Sequence, residues 1–391
     1  MGIFSKTKDK NELVLVFDIG SSSVGGAVFE TKKLGTPKII LSIREPVLLE
    51  EKINTDRFLF LTMKALDVVA SKISKGGVGK ISKTFCVLSS PWYASETRII
   101  KLEKNVPFLF TSKLADDLIK KEISLFEEEN LNKFSSTNTM VRPIEFKNIK
   151  TMLNGYVTPD PYNKKAKKLE MVVFISMSGE QILKSIEETI FKHFHTKDIK
   201  FSSFVMNSFA VTRDLFANQE NFLLVDISGE VTDISMIKKD ILTDSISYPL
   251  GFNFMIRGVA ESFKCSLSEA KSLINLYKDE HAEKTTEKKL EPIISKLKKD
   301  WLSMFQESLL NLSNDISIPS TIFITVDQDL IDFFTKLIKN EQLNQYTLTD
   351  SKFSTIFLGT ETLHGIASFE KEVDRDPFLI IESVYINRYI C

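Results

Sequence analysis

Residues 13–30, LVLVFDIGSSSVGGAVFE, run an apolar strand into an acid, Asp18, and follow it at once with a Gly/Ser turn. In a dinucleotide-binding or P-loop protein such a turn opens a helix, whose N-terminus then holds phosphate. Here the turn GSSS passes directly into VGGAVFE, which reads as a second strand. After KKLGTP, the β-branched run KIILSIRE predicts a third. The motif therefore sits on a hairpin. A helix through DRFLFLTMKALDVVASKIS follows, capped by Thr55, with Phe58, Leu61, Ala65, Val68 and Val69 on one face. The strand KTFCVLSS comes next, so the order is meander, helix, strand, which is not that of a dinucleotide-binding unit.

The same order returns at residues 221–237, NFLLVDISGEVTDISMI, where an apolar strand again ends in an acid, Asp226, before a tight polar turn. Asp18-Ile19-Gly20 aligns with Asp226-Ile227-Ser228, which makes the two segments a weak internal repeat and predicts a duplicated lobe. Two such lobes facing each other place Asp18 and Asp226 on opposite walls of one cleft. The backbone N–H groups of the flanking hairpins can then point at phosphate oxygens. This is a two-sided clamp for a nucleotide and its magnesium.

Composition bounds the alternatives. A chain of 391 residues with 43% hydrophobic content is long enough for several domains with sizeable cores. Its 51 basic and 52 acidic residues leave no global field that would mark nucleic acid as a partner. Cys86, Cys265 and Cys391 are too few for a disulfide framework and too far apart for a metal knuckle. His193 and His195 face different ways on a helix, which argues against a shared metal. No apolar run is long enough to span a bilayer, and MGIFSKTKDK lacks a signal-peptide core. A cytoplasmic protein is expected.

In these motifs and their order the sequence resembles the actin-like ATPase superfamily, and within it the branch of the cell-division protein FtsA and the pilus-assembly protein PilM. DIGSSS resembles the first phosphate motif and DISGEVTD the second. FSSFVMNSFAVTRDLFANQENFLLVD is similar to the helix that leads into the second motif. SYPLGFNFMIRGVAESFKCSLSEAKSLI is similar to the family's glycine-containing segment with its helix pair, and IEFKNIKTMLNGYVTPDPYNKKAKKLEMVVFISM to the small strand-helix-strand domain that FtsA inserts into its first lobe. The resemblance implies an α/β, two-lobed fold of duplicated ribonuclease H-like lobes with that insertion. It implies ATP and magnesium as cofactors, with Asp18, Gly20, Ser21, Ser22, Ser23, Asp226, Gly229, Thr232, Asp233 and Gly251 as binding residues. Asp18 and Asp226 would orient the metal; the alternative for Asp18 is an acid that caps its β-turn, and Thr232 and Asp233 can equally serve only turn backbone.

Several positions depart from that pattern. Ser228 stands where the second motif has a glycine, and its Cβ obstructs close approach to phosphate. The turn VDQD, with Val326, Asp327 and Gln328, has no glycine where the family cradles adenosine. Lys271 and Ile274 replace an expected acid and lysine. Asn207 is the only amide in VMNSFAV available to position water, so fast hydrolysis is not expected and no catalytic residue is assigned.

The expected organisation is a polar leader at 1–10, lobe one at 11–83 and 179–206, and an inserted small domain at 84–178. Lobe two spans 207–258 and 319–375, with a helical subdomain at 259–318, and 376–391 forms a terminal strand or tail. The lysine run KKAKK at 164–168 reads as a solvated turn, with contact to anionic lipid or an acidic partner tail as the alternative. The stripe Ile293, Leu297, Trp301, Met304, Phe305, Leu309 reads as core packing. Trp92 divides between the small domain's own core and an exposed anchor for partners.

The expected function is a bacterial, cytoplasmic scaffold of the FtsA type at the inner face of the membrane, binding ATP weakly or not at all. It would self-assemble or recruit division proteins, bind no nucleic acid and meet the membrane only through partners. A PilM-like pilus scaffold is the alternative, and a sugar-kinase-like phosphotransferase a more distant one.

Overall fold

The computed structural model describes residues 12–33, 35–133, 140–313, 317–339 and 353–391. The N-terminal leader 1–10 lies outside the described residues. Strand β1 (Leu13–Ile19) pairs antiparallel with β2 (Ser23–Glu30), which pairs with β3 (Lys38–Pro46). Helix α1 (Thr55–Lys75) follows, and its cap is Asn54 rather than Thr55: the Asn54 side chain accepts from Arg57 N at 3.0 Å. Leu61, Ala65 and Val69 of its expected face are buried, whereas Val68 is exposed. The chain continues through β4 (Lys83–Leu88) and the inserted domain of β5 (Ala94–Phe110), α2 (Ser112–Lys133), β6 (Val141–Leu153), β7 (Tyr156–Val157) and β8 (Lys164–Gly179). It returns through α3 (Glu180–Phe194), β9 (Ile199–Ser203) and α4 (Phe204–Leu215).

The second lobe repeats the scheme with β10 (Phe222–Ile227), β11 (Thr232–Lys238) and β12 (Ile241–Tyr248), then α5 (Phe252–Phe263), α6 (Leu267–Lys278) and α7 (Lys284–Ser313). The chain ends with β13 (Thr321–Val326), α8 (Ile331–Lys339), β14 (Ser354–Phe357), β15 (Ser368–Phe369) and α9 (Pro377–Tyr389). One sheet has the order β15-β3-β2-β1-β4-β9 and the other β12-β11-β10-β13-β14. Apart from β15, both are a meander extended by two parallel strands, so the weak sequence repeat is a repeat of topology.

Helices α4 and α9 lie between the sheets, where Phe209, Leu379, Val384 and Tyr385 join Val14 and Val16 of one sheet to Phe222 and Phe323 of the other. Helices α1 and α3 cover the outer face of the first sheet, and α5, α7 and α8 that of the second. The α7 stripe is core, with Trp301 stacked on Phe305 at 5.4 Å. The inserted domain is a sheet of order β5-β8-β6-β7 backed by α2.

Some expectations change. Strand β4, placed partly in the insertion, belongs to the first sheet, where it pairs with β1 and β9. The segment likened to strand-helix-strand is all β, its helix lying upstream as α2. KKAKK opens β8 instead of forming a turn. The chain rejoins the first sheet at β15, and the expected terminal strand is α9, nucleated by Asp376, which accepts from Phe378 N and Leu379 N, and by Pro377 in its first turn. No helix among the described residues is long and apolar enough to cross a membrane.

Candidate functional site

The cleft is built by strand register. Asp18, Gly25 and Arg44 lie side by side across β1, β2 and β3. Side chains of directly opposed residues share a face of the sheet, and Gly25 offers none. A Cβ there would lie 2.7 Å from Arg44 Nη2, so the guanidinium rests in the space the glycine leaves. From that position Nη2 donates to Asp18 Oδ2 at 2.7 Å and Nη1 to Ser23 Oγ at 2.9 Å. Nε donates to Asp376 Oδ2 at 2.5 Å. Asp376 thus caps α9 and grips Arg44 with one carboxylate.

Helix α9 also carries Glu382, which is fully buried and faces Asp18. Burial first, and then the Asp18 charge, push the Glu382 carboxyl well above its ordinary range. Both effects favour the neutral form of Glu382, whose two carboxyl oxygens are buried without a hydrogen-bond partner, as is Asp18 Oδ1. The Asp18 carboxyl is itself raised by burial, against the lowering effect of Arg44.

The two expected phosphate turns touch each other. Ser21 Oγ lies 2.7 Å from Ser228 Oγ and accepts from Glu230 N at 3.0 Å. Gly20 N and Ser228 N are committed within their own turns, to Ser23 O at 3.1 Å and Val231 O at 3.0 Å. A Cβ on Gly229 would meet Ser22 Cα at 2.9 Å. Glu230 is held by Arg257 through two donors at 2.7 and 2.8 Å, and Arg257 Nε reaches Glu50 O of the other lobe at 2.9 Å. Gly251, at the N-cap of α5, has no room for a side chain: its Cβ would sit 2.3 Å from Gly229 O.

The remaining sequence candidates divide. Asp226 and Asp233 are cross-strand partners on one face of β10 and β11. Burial and the Asp233 charge push Asp226 well above the ordinary carboxylate range, and it accepts from Thr325 at 2.6 Å. Burial raises Asp233 to about 6, opposed by hydrogen bonds with Ser247 and Ser90. Thr232 is fully buried, donating to Leu250 O at 2.8 Å and accepting from Trp301 Nε1 at 3.3 Å, so it serves backbone and core. Asn207 is also fully buried, its amide donating to Ser203 O at 2.6 Å at the base of α4. Trp92 is core: it is 3% exposed, stacks on Phe58 at 4.9 Å and donates to Gly20 O at 3.2 Å. The exposed-anchor reading of Trp92 is thereby overturned, and the core it joins is that of the first lobe, not the small domain's own.

These residues do not fit magnesium-ATP. A carboxylate that orients a hydrated metal has to present accessible oxygens to it, whereas Asp18 Oδ2 is taken by the Arg44 guanidinium and Asp18 Oδ1, though without a partner, is sealed from solvent, and burial favours the neutral form of Asp226. The hydroxyl contact between Ser21 and Ser228 joins the two turns directly. Among the described residues no group of three or more His, Cys, Asp or Glu is arranged to hold a metal ion. VDQD forms a short turn, and the cavity between it, Arg44 and Asp376 measures about 210 Å³. A larger cavity of about 860 Å³, lined in part by Gln328 and Asp329 of the same turn, lies between the end of α6, α7 and α8.

Sequence reasoning missed Arg44, Asp376 and Glu382. The signals were present: Arg44 is a charge closing the β-branched run IILSIR, and Glu382 is an acid embedded in PFLIIESVYI. A charge within an apolar segment is paired or neutralised where it is buried.

No protein-family model and no curated protein matches the chain. Among solved structures it is similar to a "PilM-PilN type IV pilus biogenesis complex", at a TM-score of 0.60 and 12% identity over 95% of this chain and 97% of that one. Lower similarity, with a TM-score of 0.40 in each case, is found to the ethanolamine utilization protein EutJ from Carboxydothermus hydrogenoformans, at 10% identity over 95% of this chain and 88% of that chain. It is found also to a Bacteroides thetaiotaomicron protein of actin-like ATPase fold, at 9% identity over 98% of each chain. With its duplicated sheets, the chain has the two-lobed actin-like ATPase fold.

Proposed function

We propose that this protein is a non-catalytic scaffold on the actin-like fold that recruits protein partners, and that the machinery it serves is a pilus rather than the division apparatus. The observation that carries the scaffold reading is Arg44, a tethered cation on Asp18 where a nucleotide's metal would be oriented. A phosphotransferase needs a polar, accessible phosphate path, and the Ser21–Ser228 contact crosses that path. The pilus direction is supported by the fold-level likeness to the PilM–PilN complex. The setting is then the cytoplasmic face of the membrane.

Deletion of the gene tests this. Loss of surface pili with unchanged cell length is the expected phenotype, restored by the wild-type chain and equally by a variant that preserves the Arg44–Asp18 pair. Filamentous cells with normal piliation would return the reading to cell division.

A further inference from the structure

The inserted sheet meets the lobes at one end. There Ser178 donates to Trp92 O at 2.6 Å and Arg142 pairs with Glu187 at 2.7 Å. At the other end three features converge on β8. The pairing of β5 with β8 breaks between Glu103 and Phe108, so residues 104–107 bulge out beside Lys167. Across β8, the turn after β6 is fastened to the same place: Asn154 N donates to Lys168 O and Lys167 N to Asn154 Oδ1, both at 2.8 Å.

This end is apolar and basic at once. Val106 of the bulge is 73% exposed, and Tyr156 and Val157 beyond the turn are 78% and 56% exposed. Lys168 is neutralised by Glu103 at 2.8 Å, but Lys164, Lys165 and Lys167 are exposed and have no ion-pair partner among the described residues. Residues 154–168, at this end, hold four lysines against Asp160 alone, in a chain of net charge −1.

We propose that the distal end of the inserted domain docks directly on an anionic lipid bilayer, with the lysines over the headgroups and Val106, Tyr156 and Val157 at the acyl boundary. Lysines near an anionic leaflet gain from its negative potential, and tyrosine suits the headgroup level, with an apolar ring and a polar tip. Hydrogen bonds to Asn154 fix the turn in advance, which lowers the entropy lost on docking. An acidic peptide would answer the lysines, yet a peptide added along a strand edge covers one edge of a sheet. Here the apolar residues stand on opposite edges, Val106 on β5 and Tyr156 and Val157 on β7, and a bilayer meets both at once. This proposal does not depend on the pilus reading.

The test is co-sedimentation of the full chain with vesicles of phosphatidylcholine alone or containing phosphatidylglycerol, at low and high salt. Binding is expected only with phosphatidylglycerol and weakens with salt. Lys165→Glu with Lys167→Glu lowers the affinity by at least about fivefold for each lysine lost. Tyr156→Ser with Val157→Ser lowers it too, while Lys288→Glu with Lys289→Glu, on exposed α7 positions, leaves it unchanged. Unaltered melting temperatures establish that the variants fold. Absence of vesicle binding at low salt, or binding indifferent to both tip variants, overturns the proposal. Capture of poly-glutamate without vesicle binding also overturns it, assigning the surface to an acidic protein.

Discussion

Arg44 lies across Gly25 and donates to Asp18 at 2.7 Å, so that the acid of the first motif meets a cation of its own chain. Removing one partner of a buried ion pair leaves the other without compensation, at a cost of about 3–5 kcal/mol. Arg44→Met is expected to destabilise the protein by that amount in urea denaturation. Adding Asp18→Asn should recover part of the loss, because the stranded charge is gone. An unchanged midpoint for Arg44→Met would refute the clamp.

Calorimetry with magnesium-ATP at millimolar concentration is expected to show no saturable heat for the wild type. Ser228→Gly is not expected to create binding, since Arg44 and Ser21 remain in place. A wild-type heat abolished by Asp18→Ala would restore the nucleotide reading.

Asp233 sets a pH dependence. Its carboxyl is raised from 3.8 to about 6 in the folded state, so the folded protein holds this proton more tightly than the unfolded chain. The stability this confers is complete below 3.8 and is lost as pH rises through about 6. The melting temperature of Asp233→Asn relative to wild type should therefore climb between those two pH values and level off above them. A difference independent of pH would show that Asp233 does not titrate there.

Trp92→Ala removes a large buried side chain together with its bond to Gly20 O. A loss of about 3–5 kcal/mol is expected from the cavity, read as a fall in denaturation midpoint. Trp92→Phe should cost less, retaining the stack on Phe58.

What the sequence disclosed and what it concealed follow from range. The hairpins at Asp18 and Asp226 were legible because strand, acid and turn are contiguous, and their repetition exposed the two lobes. The α7 stripe was legible because helical period is local. Glu382 and Asp376 were not, because their meaning comes from Asp18 and Arg44, more than 300 positions away in sequence. The last helix was misread for a related reason. Its Phe, Ile and Val content favours a strand, and burial between two sheets overrides that preference. Arg44 was read only as part of a strand, since nothing nearby in sequence shows that Gly25 makes room for it.

The double duty of Asp376 bears on how the chain is born. Its carboxylate caps α9 and holds Arg44, and α9 covers the first sheet against Val14 and Val16. During synthesis the first hairpin leaves the ribosome long before α9, and until then its inner face lacks that cover. The first lobe therefore gains its full cover, beyond what α4 supplies, only after the second has been made. Such late closure of distant contacts is slow and leaves apolar strands open to mispairing, so a nascent chain stalled before residue 376 should be more prone to aggregation than the full chain.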